Sequence, residues 1–248
     1  MYIFFRFTCV YSLIFVTFAD DNRTKTMTNK WIRRRLNAWG YGVQSPNDFY
    51  FVQHVLREKL PYYAYPTLAE LQQRFGNDLP HDSLAANRLL FRLANYVHPD
   101  SIIEVGAGTS IAAMAMACPT ARCMAITADP AHCYALQQLL AKHPKATVEN
   151  SDEMAVFRQF LSGNNAIGIL HVAATAHYQE IVEEALSHVS DRTLIIISGL
   201  QDSPDKQAWW KELQESPRTG VSYDLGTMGI LFFDKARYKA TYWIKLKR

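Results

Sequence analysis

The chain has 248 residues, 49% of them apolar and 20% charged, the balance of a folded globular protein and not of a disordered or fibrous one. A formal net charge of only +3 removes any bulk electrostatic reason to expect a nucleic-acid or membrane partner. Its four cysteines (Cys9, Cys118, Cys123, Cys133) form no C-x-x-C pair and have no histidine at metal-ligand spacing, so they read as reduced thiols of a cytoplasmic protein.

Residues 1–26 are an apolar leader, MYIFFRFTCVYSLIFVTFA and its polar tail, and three readings of it stand together. Thr17 and Ala19 before Asp20 suit the cleavage site of a signal peptide, which would mean export. However, the charged start of such a peptide is missing and Arg6 interrupts the run. A membrane anchor would need roughly 20 apolar residues. In the third reading translation begins at Met27 and the leader lies upstream of the protein.

Residues 27–99 read as a helical extension. NKWIRRRLNAW sets Trp31, Ile32, Leu36 and Trp39 at helical spacing, closed by Gly40 and Gly42. Its basic residues, Lys30, Arg33, Arg34 and Arg35, read as a solvated face before a binding site. FYFVQHVLREKL predicts a helix reaching Pro61, and TLAELQQRF and SLAANRLLFRLANYV predict two more.

Residues 100–248 change pattern. Apolar β-prone runs (SIIEV, ARCMAIT, KATVE, AIGILHV, RTLIIIS) alternate with amphipathic stretches of helical length, which predicts a doubly wound parallel α/β sheet. The last two runs, VSYDLG and MGILFFD, are too close for a helical crossover and predict a terminal antiparallel hairpin, for seven strands in all. Asp129 before Pro130 reads as a helix N-cap, and Asn150 with Glu153 as a capping box.

Between the first strand and its helix lies Glu104-Val105-Gly106-Ala107-Gly108-Thr109-Ser110. Glycines there permit a tight turn and close approach of a ligand to the backbone, at the crossing where such sheets bind ligands. A dinucleotide loop would carry a third glycine, and its acid would follow the second strand. An acid two residues before the first glycine, together with the terminal hairpin, resembles instead the first motif of class I S-adenosylmethionine-dependent methyltransferases. GYGVQSPNDFYFVQHVLREKLPYYAY and LLFRLANY are similar to the N-terminal helices of a bacterial branch of that family, near the small-molecule O-methyltransferases.

The resemblance implies a Rossmann-like methyltransferase fold and S-adenosylmethionine as cofactor. It places Glu104, Gly106, Ala107, Gly108 and Ser110 under the methionine part, Thr127 and Asp129 near the ribose, and Asp152 near the adenine. A side chain at Gly106 would stand in the ligand's path. The family's ribose acid is replaced by Thr127, which cannot offer a charged bidentate contact. Where the O-methyltransferases hold a divalent metal, this chain has Ala173, Ser198 and Gly199, so no metal is expected. His171 and His177 are the candidates for a general base. The implied function is metal-independent methyl transfer to a small acceptor. The alternative is a catalytically degenerate relative that binds or scaffolds.

Overall fold

The computed structural model describes Val43, residues 45–163 and residues 165–244, so the apolar leader and the basic Trp-containing helix lie outside the described residues. Helix α1, Pro46–Phe51, starts where Ser45 Oγ accepts the Asp48 N–H at 3.4 Å and Pro46 presets the first turn. It continues as one π turn, Val52–Leu56, and stops there rather than at Pro61. The stop has a donor: Arg92 gives Nε to the Val55 carbonyl at 2.7 Å and a terminal nitrogen to that of Leu56 at 3.3 Å. Glu58 then takes the N–H groups of Lys59 and Leu60 at 2.6 and 2.8 Å, turning the chain. Helices α2, Tyr65–Phe75, and α3, Leu84–Val97, follow, the second capped by Ser83.

The remaining elements alternate. They are β1 Ser101–Val105, α4 Ser110–Ala117, β2 Arg122–Thr127, α5 Pro130–Leu140, β3 Ala146–Asn150, α6 Glu153–Ser162, β4 Ile169–Val172, α7 Tyr178–Ala185, β5 Leu194–Ser198 and α8 Pro204–Glu215. The chain closes with β6 Val221–Asp224, β7 Met228–Phe232 and β8 Ala240–Trp243. The strand order is β3-β2-β1-β4-β5-β7-β6-β8, with β1 to β5 parallel and β7 antiparallel to both β5 and β6. The doubly wound α/β sheet and its antiparallel hairpin are as the sequence predicts, but among the described residues the sheet has eight strands and not seven. The missed strand is ATYW, whose short, half-polar run carries too little apolar signal. It pairs parallel to β6 at an edge, Val221 beside Ala240.

A period of two sorts the strand residues between two cores. Ile102, Cys123, Ala125, Ile169, Leu194 and Ile196 face α1 to α5. Ile103, Val105, Ile126, Leu170, Val172, Ile195 and Ile197 face α6 to α8. Both faces are therefore apolar, as a covered parallel sheet requires.

Helix α1 is pinned to the far edge of the first face by a carboxylate. Asp48 Oδ1 accepts from the Tyr223 hydroxyl at 2.7 Å and pairs with the Arg237 guanidinium, while Oδ2 accepts from Tyr242 at 3.1 Å. The group is dry, and burial pushes the Tyr223 hydroxyl well above its ordinary pKa. Around it Phe51 packs on Tyr223 and Phe232 at ring distances of 4.8 and 5.1 Å. Asp48→Ala leaves a buried guanidinium and two phenols without their acceptor. Urea unfolding is expected to show a loss of about 3–5 kcal/mol, against about 1 kcal/mol for Ser45→Ala at the cap.

Burial also holds two thiols protonated, pushing Cys118 up to about 11 and Cys123 up to about 12. Among the three cysteines of the described residues, alkylation of the native protein at pH 8 should therefore label the half-buried Cys133 and spare these two, and all three should react in urea.

Candidate functional site

Counting by two along the first face brings a row of polar residues to the carboxyl ends of four neighbouring strands. Thr127 follows Ala125, Glu104 follows Ile102, His171 follows Ile169, and Ser198 follows Ile196. Glu104 stands directly beside His171 in the register. The strand order reverses between β1 and β4, so this row sits at the switch point of the sheet.

Glu104 is fully buried and its carboxylate is fully employed. Oε1 accepts the Gly108 N–H at 2.9 Å and the Ser110 hydroxyl at 2.7 Å, folding the glycine loop back onto β1. Oε2 lies 2.9 Å from Nδ1 of His171, also fully buried. Nε2 of His171 lies 2.9 Å from Ser198 Oγ, and Ser198 in turn donates to Asp82 Oδ2 at 3.0 Å. A chain of four side chains thus runs from the glycine loop to the segment before α3.

The order hydroxyl–imidazole–carboxylate is that of a nucleophilic triad. Two features turn it to another use. The Ser198 proton goes to Asp82, and that carboxylate 3.0 Å away opposes any negative charge growing on the oxygen. The chain is a support that ties loop, sheet and overlying segment together.

The glycine loop is tightly covered. Gly106 adopts the left-handed conformation at φ +69°, and a side chain there would meet the backbone of Ala174. A side chain at Gly106 is thus blocked by the protein's own backbone, whatever the path of a ligand. A side chain at Gly108 would meet the Pro80 carbonyl, which accepts the Thr109 N–H at 3.0 Å. The Ala107 N–H goes to the Ile126 carbonyl.

Above the loop is a cavity of about 160 Å³, lined by Pro80, His81, Asp82, Gly106, Gly108, Ser110, Ala173, Ala174, Ser198, Gly199 and Asp202. Behind its β5 wall, Lys206 Nζ donates to the Ser198 carbonyl at 2.7 Å and lies 4.0 Å from Asp202. Burial lowers the pKa of this ammonium, opposed by Asp202 and Asp82. A larger hollow of about 430 Å³ lies elsewhere, between α8 and the β6–β8 edge.

The other expected residues fall outside this cavity. Thr127 is buried at the end of β2, its hydroxyl accepting the Asp129 N–H at 3.2 Å. Asp129 caps α5 through the Ala131 N–H at 2.9 Å, and Asp152 caps α6 through that of Ala155 at 2.7 Å. The expected capping box of Asn150 and Glu153 is not formed. Asn150 ends β3 and donates to the Thr127 carbonyl at 3.0 Å, while Glu153 accepts from the Thr175 hydroxyl. The box fails because β3 runs one residue further than its apolar part suggests. His177 is exposed at the start of α7, 4.0 Å from Glu180. Asp82, His81 and Lys206 had no signal in the sequence. Ser198 had one, its place two residues after Ile196.

No protein-family model and no curated protein matches the sequence. Solved structures do. An O-methyltransferase from Bacillus cereus in complex with SAH superposes with a TM-score of 0.56 at 16% identity, covering 77% of this chain and 99% of that one. The O-methyltransferase TomG of Streptomyces achromogenes, involved in tomaymycin synthesis and solved with SAM, gives 0.54 at 18% identity over 77% and 97%. A methyltransferase from Geobacter sulfurreducens gives 0.56 at 16% over 70% and 91%. The chain has the methyltransferase fold.

Glu104 and the two caps should separate cleanly in stability. Glu104→Ala strands three buried donors and is expected to cost about 3–5 kcal/mol in urea unfolding. Asp129→Ala and Asp152→Ala should each cost about 1 kcal/mol. Equal losses at all three sites would contradict the central place given to Glu104.

Proposed function

We propose that the protein binds S-adenosylmethionine and transfers its methyl group to a small-molecule acceptor. The observation that carries this reading is the position of the cavity. It opens over the glycine loop at the switch point, in a fold shared over nearly the whole length of methyltransferases solved with SAM or SAH. Its lining suits the polar end of that cofactor: carboxylates for an ammonium, hydroxyls from Ser110 and Ser198, and small apolar walls at Ala173 and Ala174. Thr127, Asp129, Asn150 and Asp152 stand at the ends of β2 and β3, toward which the nucleoside would extend.

The bound cofactor supplies an already activated methyl group, so alignment of the acceptor accounts for much of the rate. This chain's part is to hold the loop, narrow the cleft and exclude water. Glu104 does the first by fixing Gly108 and Ser110. Metal-free transfer fits the donor set, since Ala173 and Gly199 bring no ligand and Ser198 brings no charge. Among the described residues no group of acids, histidines or cysteines could hold a metal ion. Nor is any helix there long and apolar enough to cross a membrane.

Titration calorimetry with S-adenosylhomocysteine tests the reading. Micromolar binding is expected, together with a gain in stability of about 2.7 kcal/mol at a hundredfold excess over Kd. Added chelator should leave both unchanged. Absence of binding at millimolar ligand would favour the scaffolding alternative.

A further inference from the structure

A ligand carrying an ammonium at this loop needs a carboxylate with open lone pairs facing the cavity. Glu104 does not offer one: three protein donors occupy its two oxygens, and no part of it reaches solvent. Two other acids line the cavity, Asp82 and Asp202. Asp202 is largely exposed and its Oδ2 leans toward Lys206. Asp82 is different. Its Oδ2 accepts from Ser198, and among the described residues no protein donor reaches its Oδ1.

Asp82 is also held in place from several sides. Pro80, two residues before it, accepts the Thr109 N–H at 3.0 Å and so lies against the glycine loop. The Asp82 carbonyl accepts from Gln72 at 3.0 Å, and the next residue, Ser83, caps α3. The Ser198–His171–Glu104 chain fixes the carboxylate itself relative to the loop. A carboxylate positioned this way binds a cation without first having to be ordered.

Resting on the cofactor reading above, we infer that Asp82 receives the α-amino group of the methionine part of S-adenosylmethionine. In this assignment the acid of the glycine motif acts at one remove. Glu104 orders the loop and, through His171 and Ser198, positions the aspartate that makes the contact.

The test uses the full-length protein and two ligands in titration calorimetry: S-adenosylhomocysteine, which carries the amino group, and 5′-methylthioadenosine, which lacks the amino-acid end. Asp82→Asn should weaken S-adenosylhomocysteine about 10- to 100-fold, the scale of a charge-assisted hydrogen bond. It should leave 5′-methylthioadenosine within about twofold, and, because the amide oxygen still accepts from Ser198, lower the thermal midpoint of the unliganded protein by only a few degrees. Undiminished binding of S-adenosylhomocysteine to the variant would overturn the assignment. So would a parallel loss of both ligands, which would mean that Asp82 only shapes the cleft. Failure of the wild-type protein to bind S-adenosylhomocysteine would instead sink the cofactor reading itself.

Discussion

A carboxylate buried in an apolar sheet must be fully hydrogen-bonded or it destabilises the fold by several kcal/mol. Glu104 meets that requirement with three donors, and the way it does so dictates the geometry around it. Two of the donors lie in the loop that follows its own strand, so satisfying the acid folds the loop. The turn this demands puts Gly106 in the left-handed region and brings it against the Ala174 backbone, where only a glycine fits. The third donor is an imidazole, and an imidazole has a second nitrogen to satisfy. That nitrogen reaches Ser198, and Ser198 reaches Asp82. One desolvated acid thereby organises the loop, the neighbouring strand ends and the segment lying over them.

The helical segment from α1 to α3 is fastened to the first face of the sheet at two places, each through an aspartate. Asp48 seats on Tyr223, Tyr242 and Arg237 at the β6–β8 edge, and Asp82 seats on Ser198 at the switch point. The two differ in dryness. The first is sealed, with aromatic rings on all sides, and serves only to hold. The second borders a cavity and keeps a free oxygen. Held at both ends, the Pro80–Asp82 segment forms part of the wall, so whatever binds over the glycine loop is read by the N-terminal helices as well as by the sheet.

Much of this was legible in the sequence, for identifiable reasons. Strands buried on both faces write themselves as apolar runs, and the helix after β2 carries its cap at Asp129, so order, direction and hairpin followed from pattern. Glu104 was singled out correctly as the acid beside the loop, whereas His171, read as a candidate general base, is buried between Glu104 and Ser198. What sequence could not supply was the link between them. His171 meets Glu104 only because β4 lies beside β1, a pairing across 67 positions. Asp82 was out of reach altogether, because a loop aspartate before a capping serine looks like any other turn. The eighth strand escaped for the opposite reason: its residues are ordinary edge residues, and only its partner makes it a strand.

The strand ends where the resemblance implied a metal position, at Ala173, Ser198 and Gly199, lie close to a positive charge. The fixed positive charge behind β5 is the Lys206 ammonium, against the Ser198 carbonyl and the ring of Tyr178. A monovalent ammonium sealed behind the wall cannot polarise an acceptor hydroxyl as a divalent ion in the cleft would. It can offset part of the negative charge of Asp82 and Asp202 on the cavity side. On the reading proposed here, the chain has exchanged activation of the acceptor for placement of the cofactor. The acceptors it serves best are then those whose nucleophile needs no metal to shed its proton.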